Sequence, residues 1–337
     1  MLIGRFARIL AVMAISAGGF GINSALAQDT NLYEAQETPG RWIAEGWSTD
    51  FSRATIPFWD VTDVIGRDNI PSIDEPQFEN ASNNIIIPGN EPVIGFELNG
   101  DARAYPLRIM MWHEIVNDEV GGVPVAVTFC PLCNTSIVFD RRIDDTAVTF
   151  GTSGKLRNSD LIMYDRPTQS WWQQFDGKAL AGVHAGKKLK AYPSRLMSLD
   201  LFKQEYPNGK MLLPDPRRIS QLGRNPYAGY DSSFQPFLFR GEMPEDINGM
   251  VRVILVQGDN PFAVALPKLS KDGVFTKDGL EFRWSAGQAS ALDTGKISDG
   301  RDVGNIEVVD KDGNPVVHEI TFAFAARAFL PELEIIQ

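Results

Sequence analysis

Along most of this chain apolar and polar positions alternate in short runs, broken every few residues by Gly, Pro, Asn or Asp. A period of two with frequent breakers predicts strands rather than long helices. The pattern is sharpest where Val93-Ile94-Gly95-Phe96-Glu97-Leu98 meets Asn99-Gly100-Asp101 and Ala102-Arg103-Ala104-Tyr105 follows. Two runs around Asn-Gly predict a hairpin, because both residues tolerate the left-handed backbone that a two-residue turn requires. Leu107 to Val116 changes period: its apolar residues fall at helical intervals without Gly or Pro, which predicts one short helix carrying His113 and Glu114 and ended by Gly121-Gly122. Val123 to Phe129 then predicts a buried strand and Ser136 to Phe139 its return, with Cys130-Pro131-Leu132-Cys133 as the turn between them.

Thr146 to Thr149 and Leu161 to Tyr164 continue as strands of a meander, and residues 196–206 predict a helix. Val251 to Leu255, Gly258-Asp259 and Ala263-Val264-Ala265-Leu266-Pro267 echo the first hairpin, which suggests a duplicated β-unit over residues 93–107 and 251–267. The tail alternates further strand runs with Asp-Gly and Asn-Pro turns. The expected fold class is α+β, with β-rich mixed or antiparallel sheets and a few short helices. Residues 65–337 are expected to form one such domain, preceded by a polar lead-in over 28–64 with Trp42 and Trp47 as anchors.

The N-terminus changes the picture of compartment. Arg5 and Arg8 precede an uncharged run from Ile9 to Ile22, and Ala25-Leu26-Ala27 offers a small-x-small cleavage site. That run is shorter than a bilayer-spanning helix and is loosened by Gly18, Gly19 and Gly21. A signal peptide over residues 1–27 is therefore expected, with a mature protein in the periplasm or outside the cell and no stable membrane insertion after cleavage. Its removal takes two arginines and moves the formal net charge from −11 to −13. So acidic a protein is not expected to bind nucleic acid.

Chemistry concentrates at the cysteines, the chain's only two. A thiol–disulfide enzyme would set the first thiolate at a helix N-terminus, but Asn134-Thr135-Ser136-Ile137-Val138-Phe139 predicts a strand there. A Cys-x-x-Cys turn between strands has the shape of a metal knuckle, and paired thiolates suit copper or zinc. Two cysteines do not complete a site, so His113 is expected as the third ligand, with Glu114 or Asn117 orienting it. Met110, Met111 and Met163 are further soft donors. A third reading is a structural disulfide beside a small-molecule or hydrolytic cleft formed by Asp165, Arg166 and Trp171 in the polar segment 159–173. Gly151-Thr152-Ser153-Gly154-Lys155 lacks the spacing of a phosphate loop, so no nucleotide cofactor is expected. A small molecule or a metal donor is the expected partner, and no reaction follows from the sequence.

The segments Asp68-Asn69-Ile70-Pro71, His113-Glu114-Ile115-Val116-Asn117-Asp118, Cys130-Pro131-Leu132-Cys133-Asn134, Gly151-Thr152-Ser153-Gly154, Met163-Tyr164-Asp165-Arg166 and Ser170-Trp171-Trp172-Gln173 occur together and in order. In this the chain resembles a family of exported bacterial and archaeal proteins known as a domain of unknown function. The resemblance implies that His113, Glu114, Cys130, Cys133, Asp165 and Arg166 belong to one recurrent site. It implies no activity.

Overall fold

The structure, a computed structural model, describes residue 33, residues 36–215, residue 222 and residues 225–337. The expected signal peptide lies outside the described residues. Strands dominate. Several small sheets in a propeller-like arrangement make up the body, with five short α-helices among the described residues.

Two sheets carry the chemistry. In one, Ile115–Val120, Val123–Cys130, Thr135–Asp140 and Ala191–Tyr192 pair antiparallel in that spatial order. In the other, Val61–Asp63, Phe150–Arg157, Asp160–Asp165, Trp171–Gln173 and Ala179–Ala181 form a continuous antiparallel meander. Two remaining sheets share one pattern of pairing. Pro92–Leu98 pairs with Asp101–Pro106, flanked by Arg195–Ser198 antiparallel and Lys210–Leu212 parallel. Arg252–Val256 pairs with Phe262–Ala265, flanked by Glu319–Phe322 antiparallel and Glu334–Ile336 parallel. In both, a short helix follows the second strand of the hairpin and another follows the antiparallel flanking strand.

The helix expected over Leu107 to Val116 stops at Met110. Met111 to Glu114 turn, Glu114 adopts a positive φ of 58°, and Ile115–Val120 is a strand. Tertiary pairing overrides local period here: the β-branched Ile115 and Val116 lie opposite Thr128 and Val127, in a register closed by the Gly121-Gly122 turn at φ 54° and 79°. Likewise the helix expected over 196–206 begins only at Leu199, because Arg195–Ser198 pairs with Pro92–Gly95 and Ser198 caps the helix through its hydroxyl.

The lead-in is held by aromatic rings. Trp42, Trp47 and Phe51 pack edge-on against Trp171, at centroid distances of 4.7, 5.2 and 4.9 Å. Beside them the fully buried Lys155 pairs with Glu45 at 2.8 Å and Asp63 at 2.9 Å. This lysine is the one in the Gly-rich segment, and both of its partners are carboxylates of the lead-in.

Candidate metal centre

The cysteine turn is the tip of the hairpin whose last ladder pair is Cys130 opposite Thr135. Asn134 closes it in the left-handed region at φ 58°, and its N–H donates to Pro131 O at 3.3 Å. The turn is fixed from outside as well. Asn134 Nδ2 donates to Ile320 O at 2.9 Å, Phe322 N to Cys133 O at 3.1 Å, and Tyr230 Oη to Leu132 O at 2.9 Å. Bonds on three sides leave the sulfurs little freedom.

Facing them is a second hairpin tip. Asn158 and Ser159, at φ 53° and 62°, form the two-residue turn between Phe150–Arg157 and Asp160–Asp165. The Ser159 carbonyl lies 3.3 Å from Cys133 Sγ and 3.7 Å from Cys130 Sγ. One residue further, the Asp160 carboxyl completes the group: Cys130 Sγ, Cys133 Sγ and an Asp160 oxygen all lie within 4.8 Å of one another. All three residues are buried, with exposures of 2%, 0% and 0%. Asp160 Oδ1 accepts from Gln173 Nε2 at 2.7 Å and from Phe175 N at 2.9 Å. Its Oδ2 faces Thr135 Oγ1 at 3.3 Å, and that hydroxyl also reaches Gln174 Oε1 at 2.7 Å.

The electrostatics are those of acids crowded without a counterion among the described residues. Burial pushes both thiols upward, Cys133 the more strongly; the Cys133 thiol also leans on Cys130 and on Asp160. Burial raises Asp160 to about 7. Burial, with the Asp160 charge added, raises Glu114 to about 8. The whole group is driven toward its protonated, neutral form, the response of ionisable groups held in a dry interior. A cation between them would reverse every one of these shifts.

Against expectation, the third side chain at the sulfurs is Asp160, and His113 is not in this group of ligand atoms. His113 is buried, and its Nδ1 stands 2.7 Å from Pro71 O in the turn before Ile115. Glu114 lines a cavity together with Cys130. Asn117 is used elsewhere: its amide exchanges bonds with the Phe150 backbone at 2.8 Å each way and reaches Asp74 at 2.7 Å. Met110, Met111 and Met163 are core residues.

Asp165, Arg166 and Trp171 do not line that cavity. Asp165 accepts from Thr168 N at 2.8 Å and Trp172 Nε1 at 2.9 Å. Arg166 pairs with Asp74 at 3.1 Å and bonds Ser72 at 2.8 Å. Trp171 is the hub of the aromatic cluster beneath the lead-in. Spacing did not tie Asp160, thirty positions beyond Cys130, to the sulfurs; its place in the polar segment 159–173 and the two-residue turn at Asn158-Ser159 were the signals that could have suggested it.

Residues 67–333 match the model of a family described as Protein of unknown function (DUF3179). The chain belongs to this family. No curated protein and no solved structure matched. No helix among the described residues is long and apolar enough to cross a membrane.

Proposed function

We propose that the protein binds one thiophilic metal ion through Cys130, Cys133 and Asp160, and does so after export. The observation that carries the reading is the mutual approach of three buried ligand atoms, from two hairpin tips, to within 4.8 Å. Sulfurs bound to one tetrahedral zinc at ~2.3 Å stand about 3.8 Å apart, so closure needs side-chain adjustment rather than refolding. Two thiolates with a carboxylate suit zinc better than Cu(I), which prefers an all-soft set. The Ser159 and Asn158 carbonyls, 3.3 and 3.9 Å from Cys133 Sγ, are further oxygen donors beside the sulfurs. Metal binding must displace the protons that burial now holds on these acids.

The dithiol redox reading has less support. It wants an acidified, accessible thiolate, whereas both thiols are buried and raised and the adjoining backbone oxygens favour S–H over S⁻. Export is supported by the Arg5/Arg8 start and the Ala25-Leu26-Ala27 site.

Metal analysis of protein purified from its native compartment without oxygen tests the binding. About one equivalent is expected, reduced at least tenfold in Cys130→Ser and Asp160→Ala. Metal content unchanged by both substitutions rejects the site. The mass of the same material should begin the chain at Gln28, and an uncleaved N-terminus rejects export by this route.

A further inference from the structure

Beside the sulfurs lies a cavity of about 130 Å³ that a metal ion alone does not explain. Its walls are mostly apolar, from Val64, Ile65, Ile70, Leu156, Leu161 and Phe237. An apolar cavity of about 150 Å³ stays dry and takes up benzene, so this one has room for a molecule of that size. Two polar side chains converge on the same space. Glu114, only 8% exposed, and Tyr227 both line it and make no side-chain hydrogen bond to any described residue. Among the described lining residues the one cation, Lys155, is already committed to Glu45 and Asp63.

A carboxyl and a phenol that face an apolar space without a bond to any described residue are available to a hydroxyl placed between them. The backbone supports the same view. Glu114 holds its side chain there from a left-handed conformation, and Leu238, on the cavity's outer wall, is left-handed too at φ 58°. Such strain in bulky residues gathers where a binding geometry demands it. Gly154 belongs to the same construction: a Cβ there would meet Ile65 O at 2.2 Å and push the wall outward.

We propose that this cavity binds a small neutral alcohol or phenol. Its hydroxyl sits between Glu114 and Tyr227, donating to one and accepting from the other, and its carbon skeleton fills the apolar walls. Anions would find only the committed Lys155 among the described lining residues and would give up water without return. Cations would give up water for walls of Val, Ile and Leu that return nothing. This deepens the metal reading by naming a ligand class for the open side of that site, yet the cavity stands whether or not an ion sits on the sulfurs.

The test is therefore run twice, on wild-type protein loaded with zinc and on Cys133→Ser stripped of metal, since Cys133 does not line the cavity. Phenol, 1-pentanol, pentylammonium and butyrate are titrated while amide resonances of residues 150–157 are followed. Saturable binding of phenol and pentanol is expected in both proteins, at least tenfold tighter than the two charged probes. Leu156→Phe, which fills the void, should weaken phenol at least tenfold. Glu114→Ala should cut the preference for phenol over toluene about tenfold. Should Leu156→Phe fail to fold, nuclear Overhauser contacts from the phenol ring to the Ile70 and Leu161 methyls decide the question. No saturable binding, equal binding of the charged probes, or contacts elsewhere on the surface would overturn the inference. Zinc binding without phenol binding sinks the cavity ligand alone; phenol binding without zinc binding sinks the metal centre alone.

Discussion

Asp160→Asn should make the metal-free protein more stable at neutral and alkaline pH, an unusual outcome for a fully buried, hydrogen-bonded residue. The carboxyl is raised from 3.8 to about 7 by burial, so it ionises in the unfolded chain well before it ionises in the fold. An acid with a raised folded pKa costs nothing below its unfolded value, and the cost grows until pH passes the folded value. A shift of this size corresponds to about 4 kcal/mol. Asparagine keeps an oxygen for Gln173 Nε2 and Phe175 N. Its amide then meets Thr135 and Cys133 less well, at a cost of about 1 kcal/mol. The variant should therefore gain about 3 kcal/mol at pH 8 and lose about 1 kcal/mol near pH 3.5. Urea unfolding of chelator-treated protein between those limits measures both. Under saturating zinc the order should reverse, because wild type alone gains the full binding energy. A stability difference independent of pH, or a variant less stable than wild type at pH 8 without metal, would show that Asp160 carries no buried-charge penalty.

Other consequences can be checked in the same preparations. His318 is buried and lowered to about 4 by that burial, with Nδ1 bonded to Val316 O at 2.8 Å. Its neutral form is favoured in the fold, so its contribution is complete above pH 6.5 and is lost as pH falls toward 4, by about 3 kcal/mol; His318→Gln should flatten that part of the stability profile. Lys155→Met should cost about 3 kcal/mol by leaving Glu45 without its cation and Asp63 with only the exposed Arg41, read as a drop in the urea midpoint; that remaining pair and the partners' partial exposure, 31% and 22%, keep the loss at the low end. Trp171→Ala should cost about 4 kcal/mol and expose the segment around Trp42 and Trp47 to limited proteolysis, and an unchanged cleavage pattern would show that the cluster does not anchor it.

Short-range features of this fold were legible where local chemistry and tertiary pairing agree. Asn99 and Gly100 take the left-handed conformations that their hairpin needs, at φ 52° and 83°. The apolar runs on either side of the cysteines pair across the turn as their pattern predicts. Where the two disagree, pattern misleads. Leu107 to Val116 has helical spacing, yet the turn at Met111 to Glu114 and the strand after it are imposed by pairing with Val123–Cys130. The same imposition explains which side chain stands third at the sulfurs. A helix through His113 would have placed it by local geometry, but the turn sends its ring to the Pro71 carbonyl and gives the cavity wall to Glu114. Asp160 comes to the sulfurs through contact between two hairpin tips, and no periodicity records such a contact.

In the proposed centre two sulfurs and the Asp160 carboxylate share one ion. X-ray absorption at the zinc edge of the loaded wild-type protein, compared with Asp160→Asn, reads that shared shell. Two sulfur scatterers at ~2.3 Å with oxygen at ~2.0–2.2 Å are expected, with loss or lengthening of an oxygen shell in the variant while both sulfurs remain. A first shell of nitrogen and oxygen without sulfur, or a spectrum identical in the two proteins, would contradict it.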